Sequence, residues 1–167
     1  MADAADVADP ADVAGALAGT AKLATAGDTV AFGARLGGQL RAGDVVVLSG
    51  PLGAGKTVLA KGIAQTLDVE GPVTSPTYVL ARVHPPRRAG APVMIHVDMY
   101  RLLHHSGADL LAELDALDLD TELDDAVVVV EWGEGVAERL SERCLDIRLD
   151  RGADSDERIA TWRWSLP

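Results

Sequence analysis

Eight residues, GPLGAGKT at positions 50–57, have the residue types and spacing of a phosphate-binding loop. Glycine lets the backbone curl until successive N–H groups point at phosphate oxygens, and a following helix adds its positive N-terminal dipole. Lys56 can reach the β- and γ-phosphates, and the Thr57 hydroxyl can bind Mg²⁺. The run therefore predicts a nucleoside triphosphate site whose contacts are Leu52, Gly53, Ala54, Gly55, Lys56, Thr57 and Val58.

Two carboxylates end apolar runs that have the character of buried strands, Asp98 in VMIHVD and Glu131 in VVVVE. Because the carboxyl ends of parallel strands meet at one edge of a sheet, both acids are expected beside the glycine-rich run. Such a site needs an acid for Mg²⁺ or its waters, and usually a group that orients the attacking water. The pattern alone does not decide which acid holds the metal. We predict Lys56, Asp98 and Glu131 as the catalytic residues.

The identity of the nucleotide follows from a residue type that the chain lacks. Small GTPases read guanine with an N-K-x-D motif, and this sequence contains no asparagine. GTP recognition by that route is excluded, so the expected ligands are ATP and Mg²⁺.

The strand that ends at Asp98 continues into a polar run, HVDMYRL at positions 96–102. His96 lies two residues before Asp98 and therefore on its face in a regular strand. Two interpretations of His96 stay open, a core histidine and a functional one. Tyr100 and Arg101 would lie near the γ-phosphate or at a partner surface. A zinc site is disfavoured because this run has to form a strand and its turn.

The elements that must position these residues are also visible in the sequence. The runs VVVLS, VMIHVD and VVVVE predict buried strands, and TYVLARV predicts another. Helices are predicted from a cap at Asp28 to about Leu40, over 55–67, and near 110–117 and 136–140. Two alternating runs, CLDIRLD and RIATWRWSL, predict an antiparallel pair. The fold class is α/β: a P-loop NTPase with a mixed, mostly parallel central sheet flanked by helices, and an antiparallel C-terminal strand pair.

Length and charge limit the possible functions. The 167 residues fit one domain, 27–167, after an Ala/Asp-rich tail, 1–26, that we expect to be disordered. A net charge of −11 makes unaided binding of nucleic acid unfavourable. Residues 109–125 carry eight carboxylates and no Lys or Arg, which is typical of a solvated face or of a docking surface for a basic partner.

The sequence also carries information about the cellular compartment. We recognise neither a signal peptide nor an apolar segment long enough to span a membrane. The single cysteine, Cys144, cannot form an internal disulfide and is interpreted as a small core residue. These features predict a cytoplasmic protein without membrane contact, and we expect a monomer when it is alone.

Four motifs, GPLGAGKT, TSPTYVL, HVDMYRL and VVVVEWGEG, occur in the order and spacing of the TsaE (YjeE) family. The chain thus resembles these small bacterial ATPases of tRNA N6-threonylcarbamoyladenosine (t6A) biosynthesis from about residue 28 to 164. The resemblance implies a mixed-sheet P-loop domain that binds ATP and Mg²⁺ and hydrolyses ATP weakly alone. It also implies support of tRNA A37 threonylcarbamoylation by the TsaD–TsaB complex, with tRNA contacted only through that complex.

The same resemblance implies roles for individual residues. Thr57 and Glu131 are similar to the family's Mg²⁺ ligands, and Asp98 is similar to the acid that acts near the attacking water. Ser75 falls in a segment similar to a nucleotide-sensing switch. Further nucleotide contacts are implied at Thr29, Thr77, Trp132 and Arg158. The chain departs from the family pattern at Gly133, where proline or another residue is common, and in its acidic N-terminal tail.

Two other functions are compatible with the sequence. A small-molecule kinase would use the same loop, with Arg87 and Arg88 clamping phosphates and Asp98 as base toward a substrate hydroxyl. Phosphorylation of an acceptor, instead of release of free phosphate, would identify it. A nucleotide-dependent scaffold would need ATP binding but no turnover.

Overall fold

The computed structural model describes residues 15–75, 81–100, 123–135, 137–152 and 156–167. The strands are β1 (Ala18–Leu23), β2 (Val45–Ser49), β3 (Ala81–His84), β4 (Val93–Asp98), β5 (Ala126–Glu131), β6 (Cys144–Arg151) and β7 (Arg158–Ser165). The helices are α1 (Ala26–Gly37) and α2 (Lys56–Leu67), and Leu123–Asp125 and Ala137–Arg139 form 3₁₀ turns. In this part of the chain the strands form one sheet in the order β1-β7-β6-β2-β5-β4-β3.

The middle of the sheet is parallel and its two sides are antiparallel. Strands β6, β2, β5 and β4 run parallel to their neighbours in that order. Strands β2 and β5 are buried over nearly their whole length, as continuous apolar runs require. The α/β class and the antiparallel β6–β7 pair are confirmed. The predicted mixed sheet has its parallel part at the centre, in β6, β2, β5 and β4. The antiparallel pairings of β1 with β7 and of β3 with β4 at its two sides were not predicted.

Strand β1 corrects the predicted extent of the disordered tail. It lies inside the segment 1–26 and pairs with β7 over its whole length. Ala21 and Leu23 are fully buried while Lys22 between them is exposed, which is the alternation of a strand with one covered face. Small residues make this alternation weak in the sequence. Residues 1–14 lie outside the described residues.

Helices α1 and α2 cover one face of the sheet and lie unusually close together. A Cβ atom at Gly33 would collide with the carbonyl oxygen of Leu59, and one at Gly62 with that of Val30. Only glycine allows this approach, because no side chain separates the two backbones. Phe32 and Leu59 then pack with alternate residues of the central strands in a common core. The helix that carries Thr29 and the helix that carries Lys56 are therefore closely packed as one unit.

The start of α1 differs from the prediction by a few residues. Thr25 is the N-cap, and its hydroxyl accepts from the Asp28 amide while the Asp28 carboxylate accepts from the Thr25 amide. This reciprocal pair is a capping box, in which Asp28 holds the third helical position and not the cap. Near 136–140 the structure has the 3₁₀ turn Ala137–Arg139 in place of a longer helix. The helix predicted near 110–117 lies outside the described residues.

The second face of the sheet has its own core, made of alternate residues of the central strands with Ala137 and Cys144. Burial raises the pKa of the Cys144 thiol to about 12, and nearby carboxylates, Asp146 first, act in the same direction. Trp162 and Trp164 lie together in the core on the helix side of the sheet. No helix in the described ranges is both long and apolar enough to cross a bilayer.

Candidate functional site

The glycine loop, residues 50–57, connects β2 to the first turn of α2. Its backbone requires glycine at three positions, because Gly50, Gly53 and Gly55 have φ angles of 134°, 76° and 105°. Gly50 also lies so close to the carbonyl oxygen of Leu149 that a Cβ atom could not be placed there. The loop is thus held against β6 while its amides precede the N-terminus of α2. This is the arrangement that favours an anion.

Lys56 is folded back over the glycine loop. Its Nζ donates to the carbonyl oxygens of Gly50 at 2.8 Å and Pro51 at 2.9 Å. The ammonium also lies 3.9 Å from the centre of the Trp132 ring, a distance at which a cation is attracted to an aromatic face. Burial lowers the pKa of Lys56, and the carboxylate of Glu131 is the largest opposing influence.

Thr57, Glu131 and His96 form a chain of hydrogen bonds behind the loop. The Thr57 hydroxyl lies 2.9 Å from Oε1 and 3.2 Å from Oε2 of Glu131. On the other side, His96 Nε2 lies 2.8 Å from Glu131 Oε1. Both His96 and Glu131 are buried, so these contacts are shielded from water. The structure places His96 in the core, with its ring in contact with an acid of the predicted site, which is compatible with both interpretations.

Asp98 occupies the end of β4, directly opposite Glu131 at the end of β5. Its Oδ2 accepts from the Ser75 hydroxyl and its Oδ1 from the Tyr100 amide, both at 2.9 Å. The two acids therefore differ in environment. Glu131 is buried against a histidine, whereas Asp98 is partly exposed among polar donors.

Trp132 closes this side of the loop with an unusual backbone. Its φ angle is +63°, a left-handed conformation that is uncommon for a bulky residue. The ring packs against Tyr100, with centroids 5.1 Å apart. Residues held in this way cluster at functional sites.

Two cavities of similar size lie on either side of the glycine loop and share Gly53, Gly55 and Val58. The β5 cavity, about 440 Å³, is further lined by Leu52, Lys56, Thr57, Ser75, Asp98, Tyr100, Glu131 and Trp132. The α1 cavity, about 450 Å³, is further lined by Ala24, Thr25, Ala26, Thr29, Ala54, Asp156 and Arg158. The fold thus brings every predicted site residue to one of the two cavities, except Thr77, which lies outside the described residues.

The α1 cavity combines two polar residues that were predicted, Arg158 and Thr29, with two that were not. Arg158 Nε donates to the Ala54 carbonyl at 2.9 Å, so this side chain is anchored on the loop. Thr29 is almost fully buried, and its hydroxyl donates to the Thr25 carbonyl. The missed residues here are Thr25 and Asp156. The pattern T-x-x-D at 25–28 could have identified Thr25 as a cap, but nothing in the sequence signals Asp156.

The side chains in the β5 cavity fit a magnesium ion. Hydroxyl and carboxylate oxygens such as those of Thr57 and Glu131 are the ligands that Mg²⁺ prefers, together with substrate phosphates. No group of three or more His, Cys, Asp or Glu suited to a metal occurs among the residues that the structure describes. The ligand set therefore suits an ion shared with a phosphate, and it does not suit an all-protein cage.

Comparisons with known proteins indicate the family of this chain. The family model of the threonylcarbamoyl adenosine biosynthesis protein TsaE matches residues 23–160. A Mycobacterium bovis protein with the name tRNA threonylcarbamoyladenosine biosynthesis protein TsaE is 73% identical over 146 residues, 87% of each chain. The Streptomyces coelicolor protein of the same name is 55% identical over 75% of this chain and 82% of its own.

A solved structure extends the comparison to the fold. The crystal structure of Bacillus subtilis YdiB superposes with a TM-score of 0.64 at 26% identity, over 91% of this chain and 89% of that one. The family match covers the glycine loop and both strand-end acids. This chain belongs to the TsaE family of threonylcarbamoyl adenosine biosynthesis proteins.

Proposed function

We propose that this chain is a P-loop NTPase that binds ATP with Mg²⁺ and hydrolyses it in support of tRNA A37 threonylcarbamoylation. The observation that carries the proposal is the convergence of Lys56, Thr57, Asp98 and Glu131 on one cavity at the glycine loop. A cation, a hydroxyl and two acids around such a loop are the components that phosphoryl transfer requires.

Each residue in the β5 cavity has a distinct task in this proposal. Lys56, already directed along the loop, pairs with phosphate oxygens. Thr57 and Glu131 hold Mg²⁺, which supplies charge stabilisation to the β- and γ-phosphates when bound. Asp98 orients the attacking water and accepts its proton, and the Ser75 hydroxyl and Tyr100 amide hold that carboxylate in place.

The α1 cavity suits the nucleoside end of ATP. Its walls are small side chains and backbone, with Thr29 and Arg158 as polar groups. Such walls can select a flat base by shape and can donate a few hydrogen bonds. The shared Gly53, Gly55 and Val58 would then lie along the nucleotide between the base and the phosphates.

The partners in this proposal are TsaD and TsaB, with tRNA contacted only through them in the cytoplasm. The family assignment and the net charge of −11, which opposes direct contact with RNA, support it. P-loop enzymes commonly hydrolyse slowly until a partner completes the charge stabilisation. Weak turnover alone is therefore expected.

The deciding experiment measures phosphate release from ATP and Mg²⁺ by the full chain, with and without purified TsaD–TsaB complex and tRNA. Stimulation by the complex supports the proposal. Turnover that is equally fast without partners would contradict it, and transfer of phosphate to an added small molecule would indicate a kinase. The kinase hypothesis has no support from Arg87 and Arg88, which line neither cavity at the loop.

A second experiment distinguishes the ATPase from a nucleotide-dependent scaffold. It requires nucleotide binding without turnover, so Asp98→Asn should sustain repeated cycles of tRNA modification in the presence of TsaD and TsaB. If the ATPase proposal is correct, that variant stops after a limited number of modified tRNA molecules. The measurement is modified tRNA per chain over time.

A further inference from the structure

His96 is the most completely buried ionisable side chain near the β5 cavity. Its ring has no exposed surface, and it reaches Glu131 Oε1 with Nε2 at 2.8 Å. The other ring nitrogen, Nδ1, is buried and has no hydrogen-bond partner among the described residues. A buried polar atom without a partner costs stability, so an aliphatic residue would fill this place better if packing were the sole requirement. The contact with Glu131 is what offsets that cost.

The direction of this hydrogen bond follows from the chemistry of a carboxylate. Glu131 is a carboxylate and can only accept, so Nε2 carries the hydrogen and donates it. Oε1 of Glu131 therefore receives two donors, the His96 ring and the Thr57 hydroxyl at 2.9 Å. In the described part of the chain, Oε2 has only the longer contact with Thr57, at 3.2 Å. The carboxylate is thus fixed through one oxygen and has the other available.

The strand register explains why this arrangement is rigid. His96 lies on β4 opposite Val129 of β5, and Asp98 lies opposite Glu131. The His96 ring therefore reaches Glu131 diagonally, from one parallel strand to its neighbour. Both strands belong to the buried centre of the sheet. His96 has no exposed surface, so its ring cannot turn away from Glu131 without opening the packed core.

We propose that His96 is a positioning residue that orients Glu131 for Mg²⁺, so that Oε2 serves as the metal ligand beside the Thr57 hydroxyl. This inference rests on the proposed function, because it deepens the role of Glu131 in that site. Residues that hydrogen-bond to metal ligands commonly change metal affinity by about 10- to 100-fold when they are removed.

The test compares His96→Leu with His96→Gln. Leucine removes the donor and fills much of the space, whereas glutamine keeps an N–H donor at the end of a side chain of similar reach. Isothermal titration with a non-hydrolysable ATP analogue measures binding in EDTA and then over a series of Mg²⁺ concentrations. We expect His96→Leu to bind the analogue in EDTA as wild type does, but to need at least about tenfold more Mg²⁺ for the full gain in affinity. His96→Gln should recover most of that difference.

The outcomes separate this inference from the proposed function. If wild type gains no affinity from Mg²⁺, the proposed function itself fails, and this inference with it. If wild type responds to Mg²⁺ and His96→Leu responds equally, or if leucine and glutamine are equally impaired, His96 only fills the core. Thermal unfolding identifies variants that fail to fold. If His96→Leu fails to fold, His96→Asn replaces it, because the shorter amide cannot span the distance to Glu131. His96→Asn must then show the same Mg²⁺ defect.

Discussion

The β5 cavity and the α1 cavity are nearly equal in volume and share the glycine loop as a common wall, yet they are built differently. In the β5 cavity, polar side chains are hydrogen-bonded to one another, as Thr57 is to Glu131. In the α1 cavity, Arg158 and Thr29 donate hydrogen bonds to backbone carbonyls, and much of the wall is alanine or glycine. The form of the β5 cavity therefore depends on the identity of its side chains, and the form of the α1 cavity depends on the course of its backbone.

This difference predicts unequal sensitivity to substitution. A side chain in the β5 cavity has partners that lose their function with it, so single changes should act strongly there. A wall made of backbone keeps its form when one side chain is shortened. The four predictions that follow test this contrast, from the largest expected effect to the smallest.

The largest effect is expected from Asp98→Asn. The amide cannot accept a proton from water, so turnover should fall by about 10² to 10⁴-fold, the usual range for loss of a general base. Affinity for ATP should stay near that of wild type, because the change is nearly isosteric. Single-turnover hydrolysis and calorimetric binding measure the two quantities. Near-normal turnover by the folded variant would remove Asp98 from the catalytic residues.

Next in size is the effect of Lys56→Ala on affinity. The ammonium is the cation proposed to pair with phosphate, and one such charged hydrogen bond contributes about 1.5–3 kcal/mol, or roughly 10- to 100-fold in affinity. Lys61→Ala is the matched control, because Lys61 lies on an exposed position of the same helix. Equal affinities of the two variants in titrations with Mg·ATP would contradict the phosphate role.

A smaller effect is expected from Arg158→Ala in the α1 cavity. This side chain is partly exposed and is already bonded to the Ala54 carbonyl, so its loss should weaken ATP binding by only about fivefold, near 1 kcal/mol. Turnover of bound ATP should not change. A loss as large as that of Lys56→Ala would show that the α1 cavity also depends on one charged group.

The smallest effect on the nucleotide should come from Thr25→Ala. This change removes the N-cap of α1 and should cost about 1 kcal/mol of stability, a fall of about 2–4 °C in melting temperature for a domain of this size. Affinity for ATP should change less than about twofold, because the capping hydroxyl already accepts from the Asp28 amide. Ala26→Ser, which leaves the capping box intact, is a useful comparison in calorimetric unfolding. A large loss of affinity by a stable Thr25→Ala chain would make Thr25 a nucleotide contact.

The same contrast decides what could be predicted from sequence. The meeting of the glycine loop, Asp98 and Glu131 in one cavity could be predicted, because the proposed chemistry requires particular residue types at fixed places. The α1 cavity was only partly predicted, because Asp156 enters it through tertiary packing that no local pattern encodes. Strand β1 was missed for a related reason. Its order comes from pairing with β7, about 140 residues later in the chain, and its small side chains carry a weak alternation.

The buried Cys144 has a practical consequence for following partner binding. A thiol that stays protonated and enclosed reacts slowly with alkylating labels, and this chain has no other cysteine. A cysteine introduced at Leu52, which is 75% exposed on the glycine loop, would therefore take up a fluorophore or spin label almost alone. Such a probe would report on the mouth of the β5 cavity in an otherwise unmodified protein, and its emission or mobility would record docking of a second protein in real time.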